Sequence, residues 1–435
     1  MQTLGLDIGT TSISAVVCEE GAVLASKTID NDSNIGGETW ESLQDAGIIF
    51  RLAKSLVESL LMDFPDLSAI GLTGQMHGIL YLDAQGNPVS PLYSWKDGRG
   101  DLPYSESETW AQHLSNVSGH ALSTGFGGVT HAFNVARHLV PEEAVVFCTI
   151  GDFIAMKLSG GATPLIHPTN AASLGFFDRK KNIFDLVALE KVGLSPSLFP
   201  DLARDDYLEG DLHGVKIAPA IGDNQASFLG ATEEDKQALL INFGTGSQIS
   251  LYSPNYMALP GLDTRPYMDG GYLLVGAALA GGLSFAYLEN FFRKTVAMVT
   301  GKEEKCYGSM MATLDRADPE DFTRAPVISP LFQGSREDPS LTASITGLRP
   351  DNFTPLHFII GMMKGMSREL YLMYEIYRDR GGKRPDRLIG SGNGLRLNPY
   401  LRAIVEEDFG GRLELSGQTE EAAYGAAMYA GKFTR

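Results

Sequence analysis

Short apolar runs broken by glycine open the chain. Leu4 to Ile8 is apolar, Gly9 to Ser12 interrupts it, and Ile13 to Val17 is apolar and β-branched, which predicts strand, tight turn, strand. EEGAVLAS continues as a hairpin turning at Gly21. The layout returns in ALLINFGTGSQISLYSP: at an offset of 235, Asp7 matches Asn242, Gly9 matches Gly244, Thr10 matches Thr245 and Ser12 matches Ser247. Such a repeat predicts two similar halves facing one another. Helices are predicted over Trp40 to Leu61, Thr109 to Leu114, Asn134 to Leu139, Asp152 to Leu158, Ala278 to Phe292, Thr354 to Tyr377, Asn398 to Phe409 and Thr419 to Ala430. Strands are predicted at Ala69 to Leu72, Val145 to Thr149, Val215 to Pro219 and Arg387 to Ile389. Leu186 to Asp211 reads as loop-rich, and Lys302 to Arg324 as a charged surface excursion. Met362, Met363, Met366 and Met373 sit at helical spacing and read as core packing. Strands and helices alternate in both halves, so the expected fold is α/β, with domains at 1–219 and 220–435.

Composition narrows the partners. With 35 basic against 53 acidic residues the net charge is −18, which argues against nucleic acid and anionic membranes as ligands. A small anionic ligand stays compatible, because backbone N–H groups and a metal ion can hold phosphate without net positive charge. The 49 glycines gather in short motifs and point to phosphate-handling loops. Cys18, Cys148 and Cys306 are far apart and fit reduced thiols in the cytoplasm better than a disulfide framework or a zinc site. MQTLGLDIGTT lacks the basic region of a signal peptide, and Tyr272 to Leu288 is too short and glycine-rich to span a membrane.

Phosphate chemistry has two candidate turns. In DIGTTS, Gly9 would expose successive N–H groups while Thr10, Thr11 and Ser12 add hydroxyl donors. Asp7 at the strand end could reach Mg²⁺ directly or through water. An ordinary polar hairpin has the same residues, and no GxxxxGK[ST] pattern accompanies them. The second copy, NFGTGSQ with Gly244 and Thr245, favours the clasping of a nucleotide, and the change of Asp7 to Asn242 suits a design in which one copy manages the metal. Asp223 in AIGDNQAS follows an apolar strand and a glycine. A carboxylate there can accept a proton from an attacking hydroxyl or cap the following helix, and the two roles can coexist. Gln75 and His77 in GQMHG suit a polyol, with Met76 as an apolar wall. WKDGR joins the Trp95 platform to Asp97 and Arg99, a combination suited to holding a sugar.

Taken in order, LGLDIGTTS, GQMHG, WKDGR, IGDNQAS, NFGTGSQ, SGNGLRLNPYL and EEAAYGAAMYAG resemble the FGGY carbohydrate kinases over nearly the whole chain. That resemblance implies two related actin/hexokinase-like (ribonuclease H-like) domains around a nucleotide and sugar cleft. GQMHG followed by W-x-D-x-R points to the branch with xylulokinase and sedoheptulokinase. GFGGVTHAF, HPTNAASLGFFD and Gln225 lean toward the sedoheptulokinase side. The implied activity is ATP-dependent transfer of the γ-phosphoryl group to a primary hydroxyl of a ketose, sedoheptulose ahead of xylulose. A non-transferring actin-like ATPase or sugar-binding regulator is the reading from another class. By the resemblance, Asp223 is the general base, and Asp7 positions Mg²⁺ and ATP. Met76, His77, Asp97 and Asn224 line the sugar site. Gly9, Thr10, Thr11, Gly244 and Thr245 contact phosphates, and Gly392, Asn393 and Asn398 lie near the adenosine. Partners are then a small sugar and ATP/ADP, with a homodimer the symmetric default. SGNG stands where the family more often has a run of glycines, and 435 residues is short for the family. Both departures put the nucleotide pocket and substrate choice in question.

Overall fold

The structure, a computed structural model, describes residues 1–205, 207–335, 338 and 340–434. Contacts divide the chain into two units. Met1–Glu234, Arg265–Tyr272 and Gln418–Arg435 make the first; Asp235–Thr264 and Leu273–Gly417 make the second.

Six strands form the sheet of the first unit: β1 (Gln2–Ile8), β2 (Ser12–Glu19), β3 (Ala22–Asp30), β4 (Leu67–Gly74), β5 (Gly210–Leu212) and β6 (Val215–Ile217). Their order is β5-β6-β4-β1-β2-β3. β1 runs antiparallel to β2 and parallel to β4, with Asp7 opposite Ser14 on one side and Thr73 on the other. Leu4, Leu6 and Ile8 are fully buried in one cluster with residues of α1 (Ala46–Asp63) and α2 (Ile150–Leu158). α1 starts later than its apolar spacing predicts, because the Asp45 side chain caps Ile48 N and Leu43–Gln44 is a short strand. A helix over Asn134 to Leu139 is not found. Gly127–Ala136 is helical instead, and the chain leaves it through Arg137 and a left-handed His138. Leu186 to Asp211 carries a short helix, Leu186–Lys191, capped by Asp185.

The helix α3 (Asp223–Thr232) and the C-terminal helix Glu421–Gly431 pack against each other, and the latter also packs on β1 and β4. Glycine permits the approach: a Cβ on Gly5 would strike the Ala423 carbonyl, and one on Gly425 the Ala226 carbonyl.

The second unit repeats the plan. β7 (Ala238–Phe243), β8 (Ser247–Ser253), β9 (Asp263–Pro266), β10 (Tyr272–Ala278), β11 (Arg387–Ser391) and β12 (Leu413–Leu415) are ordered β9-β10-β8-β7-β11-β12. The antiparallel hairpin β7–β8 corresponds to β1–β2, and β11 lies parallel beside β7 as β4 does beside β1. The offset of 235 in sequence is therefore a repeat of topology. Helices α4 (Gly281–Thr300), α5 (Pro355–Asp379) and α6 (Pro399–Phe409) complete the unit. Met362, Met363 and Met366 are buried in its core and Met373 packs against it. Lys302 to Arg324 is more than a surface excursion. It holds helices Tyr307–Leu314 and Pro319–Arg324, and Met310 and Leu314, one turn apart, are buried in the same core. No described helix is long and apolar enough to cross a membrane.

Candidate active site

The turn between β1 and β2 is wired through its carbonyls and one hydroxyl. Asn31 Nδ2 donates to Gly9 O (2.8 Å), Asn31 N to Thr11 O (2.9 Å) and Gln44 Nε2 to Thr10 O (2.9 Å). Trp95 Nε1 donates to Thr10 Oγ1 (3.0 Å), which in turn donates to Gln75 Oε1 (3.4 Å), while Gln75 Nε2 donates to Gln44 Oε1 (2.8 Å). Gln75 and Trp95, assigned from sequence to the sugar, thus meet Thr10, assigned to phosphate. Asn31 and Gln44 carry no motif and escaped the sequence reading. Thr11 is exposed, and Ser12 begins β2.

His77 is left-handed (φ 73°), a conformation that a non-glycine residue keeps only when its surroundings hold it. Ser173 does so: His77 N donates to Ser173 Oγ (3.1 Å) and the ring Nδ1 meets Ser173 O (2.7 Å), with Phe126 stacked at 4.7 Å. Met76 is buried, and its methyl approaches Gly222 so closely that a Cβ there would lie 2.8 Å away. Asp97 and Arg99 are sealed from solvent and absorbed by one another. Arg99 Nε donates to Asp97 Oδ1 (2.6 Å) and Nη2 to Oδ2 (3.1 Å); Ser42 N also donates to Oδ2 (3.2 Å). The guanidinium bonds Asn134 Oδ1 through Nη1 and lies over the Tyr93 ring at 4.2 Å. The pair is therefore closed to solvent, whereas Trp95 is 45% exposed.

Asp223 opens α3 without capping it: Gly222 is the N-cap and no side chain caps that end. Both Asp7 and Asp223 are half-buried. Burial, and then the negative charges of Asp223 and Glu420, push the Asp7 carboxyl up to about 7. Burial also raises Asp223, opposed first by the Arg265 charge and then by the N–H groups of Asn224. Arg265 Nη1 donates to Asn224 Oδ1, and Asn224 Nδ2 donates to Asp223 Oδ1 (2.8 Å). Arg265 was missed from sequence because nothing near it in the chain hints at Asp223.

In the second unit, Gly244 O accepts from Gly282 N (3.1 Å) and Thr245 O from Leu283 N (2.9 Å), so the start of α4 braces the second turn. Asn242 Nδ2 donates to Ser391 Oγ (2.6 Å) at the end of β11. Gly392 is left-handed (φ 83°) and lies so close to β7 that a Cβ would be 2.5 Å from Phe243 O. Asn393 beside it is exposed. Asn398 is committed to the fold: its Oδ1 caps α6 through Tyr400 N and Leu401 N, and Nδ2 meets Met363 Sδ.

A divalent cation that keeps most of its water shell fits Asp7. That carboxyl is raised by the charge of Asp223, which a cation would relieve, whereas no described cluster of three acidic, histidine or cysteine side chains forms a full protein cage.

Residues 2–238 match the N-terminal domain, and residues 239–432 the C-terminal domain, of the FGGY family of carbohydrate kinases. The sedoheptulokinase of Mus musculus is 28% identical over 480 aligned residues, covering 98% of this chain and 96% of that protein. The xylulose kinase of Staphylococcus xylosus is 21% identical, covering 98% of this chain and 90% of that one. The solved xylulose kinase from Rhodospirillum rubrum shares the fold with a TM-score of 0.84 at 20% identity, over 99% of this chain and 89% of that one.

Proposed function

The chain belongs to the FGGY family of carbohydrate kinases, and from that premise we propose that it transfers the γ-phosphoryl group of ATP to a primary hydroxyl of a ketose, sedoheptulose first. Asp223 is the observation that carries the reading. Its carboxylate is not spent on a helix cap, and Arg265 and Asn224 oppose the effect of burial on its charge. In the proposed reaction Asp223 accepts the proton of the sugar hydroxyl as that oxygen attacks the γ-phosphorus, and the bond to the β–γ bridging oxygen breaks to release ADP. Mg²⁺, when bound, would neutralise charge on the transferring phosphates, with Asp7 holding it directly or through water. Gly9, Thr10, Thr11 and Ser12 in the first unit, and Gly244 and Thr245 in the second, are the proposed phosphate donors. Gly392 and Asn393 are the proposed neighbours of the adenosine, with Asn398 behind them as a cap. Gln75, Met76, His77 and Asn224 are the proposed sugar side, and the buried pair of Asp97 and Arg99 is proposed to support the WKDGR segment rather than to meet the sugar.

Sedoheptulose stands first because the mouse relative bearing that name matches 98% of the chain. Xylulose is the second reading, because the Staphylococcus xylulose kinase matches the same share at lower identity. A coupled ADP assay over sedoheptulose, xylulose, ribulose, fructose, glycerol and erythritol tests both. Asp223→Asn is expected to lower kcat about 10²- to 10⁴-fold with sugar binding kept. Full activity in that variant, or ADP release equal with and without every sugar, would overturn the proposal.

A further inference from the structure

One seven-residue segment, residues 167–173, touches both the turn that launches Asp223 and the strained His77. Thr169 Oγ1 accepts from Gly222 N (3.0 Å), and Asn170 Nδ2 donates to Ala220 O (3.0 Å), so two peptide groups just before Asp223 are held by its side chains. Three residues on, Ser173 fixes His77 through its hydroxyl and its carbonyl. The segment is tied to itself, since Ser173 Oγ donates to Asn170 O (2.7 Å). It is also anchored from behind. His167 Nδ1 meets Thr169 Oγ1 (2.8 Å) and Nε2 meets Asp205 Oδ1 (2.7 Å), with the imidazole edge-on to Tyr429 at 5.9 Å. The Asp205 carboxylate can only accept, from Nε2–H; in the tautomer that leaves Nδ1 without a proton, Nδ1 takes the Thr169 hydroxyl proton and the hydroxyl oxygen is left for Gly222 N–H. His167, Thr169, Asn170 and Ser173 are all buried, so water does not compete for the bonds among them, while Asp205 is 40% exposed.

We propose that this segment is a positioning bridge, in which Thr169 sets the place of the base Asp223, Ser173 sets the place of His77, and His167 with Asp205 orients the Thr169 hydroxyl. The inference rests on the kinase reading for the roles of Asp223 and His77. A rigid link between the two is what in-line transfer demands, because a misplacement of about 1 Å can cost about 100-fold in rate.

Thr169→Val removes the hydroxyl and keeps the shape, and Thr169→Ser returns it. Thr169→Val is expected to lower kcat about 10- to 100-fold with the sugar KM within about twofold, and Thr169→Ser to restore kcat. Ser173→Ala is expected to raise the sugar KM severalfold and leave kcat within about twofold. A second measurement needs no turnover: hydrogen exchange of the Gly222 and Asp223 amides should accelerate in Thr169→Val and recover in Thr169→Ser. Wild-type kcat in Thr169→Val, an equal fall in Thr169→Ser, or unchanged exchange overturns the bridge. If the wild-type chain phosphorylates no sugar while exchange changes as stated, the kinase reading fails and the bridge to the turn stands.

Discussion

Arg99→Met isolates what the buried half of WKDGR contributes. Arg99 heads the large side chains that are less than 2% exposed, and Asp97 is 0% exposed. Removing the guanidinium leaves the Asp97 carboxylate in a dry interior with two backbone donors, Ser42 N (3.2 Å) and Arg99 N (3.2 Å). It also strands Asn134 Oδ1, which the guanidinium bonds. Breaking a buried pair this way costs about 3–5 kcal/mol, because a charge remains without its partner. At about 2–4 °C per kcal/mol for a domain of this class, the melting temperature of the first unit should fall by about 6–20 °C. The double variant Asp97→Asn with Arg99→Met removes both charges and should recover much of the loss, with a coupling of about 1–3 kcal/mol. Differential scanning calorimetry of wild type, both single variants and the double variant supplies the cycle. A single variant melting within about 2 °C of wild type, or losses that simply add, would refute the claim that the two groups exist to satisfy one another.

Two further outcomes are expected. Burial, as the largest cause, pushes Asp152 up to about 8 and Glu209 up to about 7, so the folded chain keeps protons that the unfolded chain has released. Their contribution to stability is present below their ordinary range near 4 and is lost as pH rises through 7 and 8, with a slope of at most about 1.4 kcal/mol per pH unit per proton. Urea titrations at pH 5 to 8 should show this decline, and Asp152→Asn should flatten it; stability that climbs over that window would contradict the assignment. Asn398→Ala should cost about 1 kcal/mol of the second unit by uncapping α6, while Asn398→Asp should keep most of it. Thermal melts of the two variants decide, and equal losses would count against the cap.

How far the sequence could be read depended on whether a feature is local or formed by folding. The repeat was legible because strand, glycine turn and strand lie within 18 residues of chain, Gln2 to Glu19 in the first copy, and the turn chemistry is carried by the residues themselves. Asp223 was visible for the same reason, although only the structure separates it from a cap, by giving that place to Gly222. Arg265 was not legible. It lies 41 residues beyond Asn224 in an ordinary stretch, and its meaning comes from a bond that exists only once β9 is laid down. Asn31 and Gln44 share that character, as polar residues in unremarked segments that become supports when the chain folds, and Thr169, although inside HPTNAASLGFFD, gains its role only from its bond to Gly222 N. The helix misread at Asn134 to Leu139 has a local cause. Gly127 and Gly128 look like breakers in sequence, yet the helix starts with them, and glycine is needed there because Ile79, Leu174 and Phe176 leave no room for side chains.

Two carboxylates of the first unit, Asp7 and Asp223, differ in what surrounds them, and the difference separates their proposed tasks. Asp7 is raised to about 7 by burial and by two negative neighbours, with no positive group among the causes acting on it. It is therefore short of a cation near neutral pH, and binding one would drive off its proton. Burial raises Asp223 as well, but there the charge of Arg265 and two N–H donors in Asn224 oppose it. A carboxylate whose charge is supported by fixed protein donors is the better placed to take a proton from a hydroxyl, whereas one with no positive neighbour is the better placed to receive a cation. The environments thus support the proposed assignment of proton transfer to Asp223 and of the metal to Asp7.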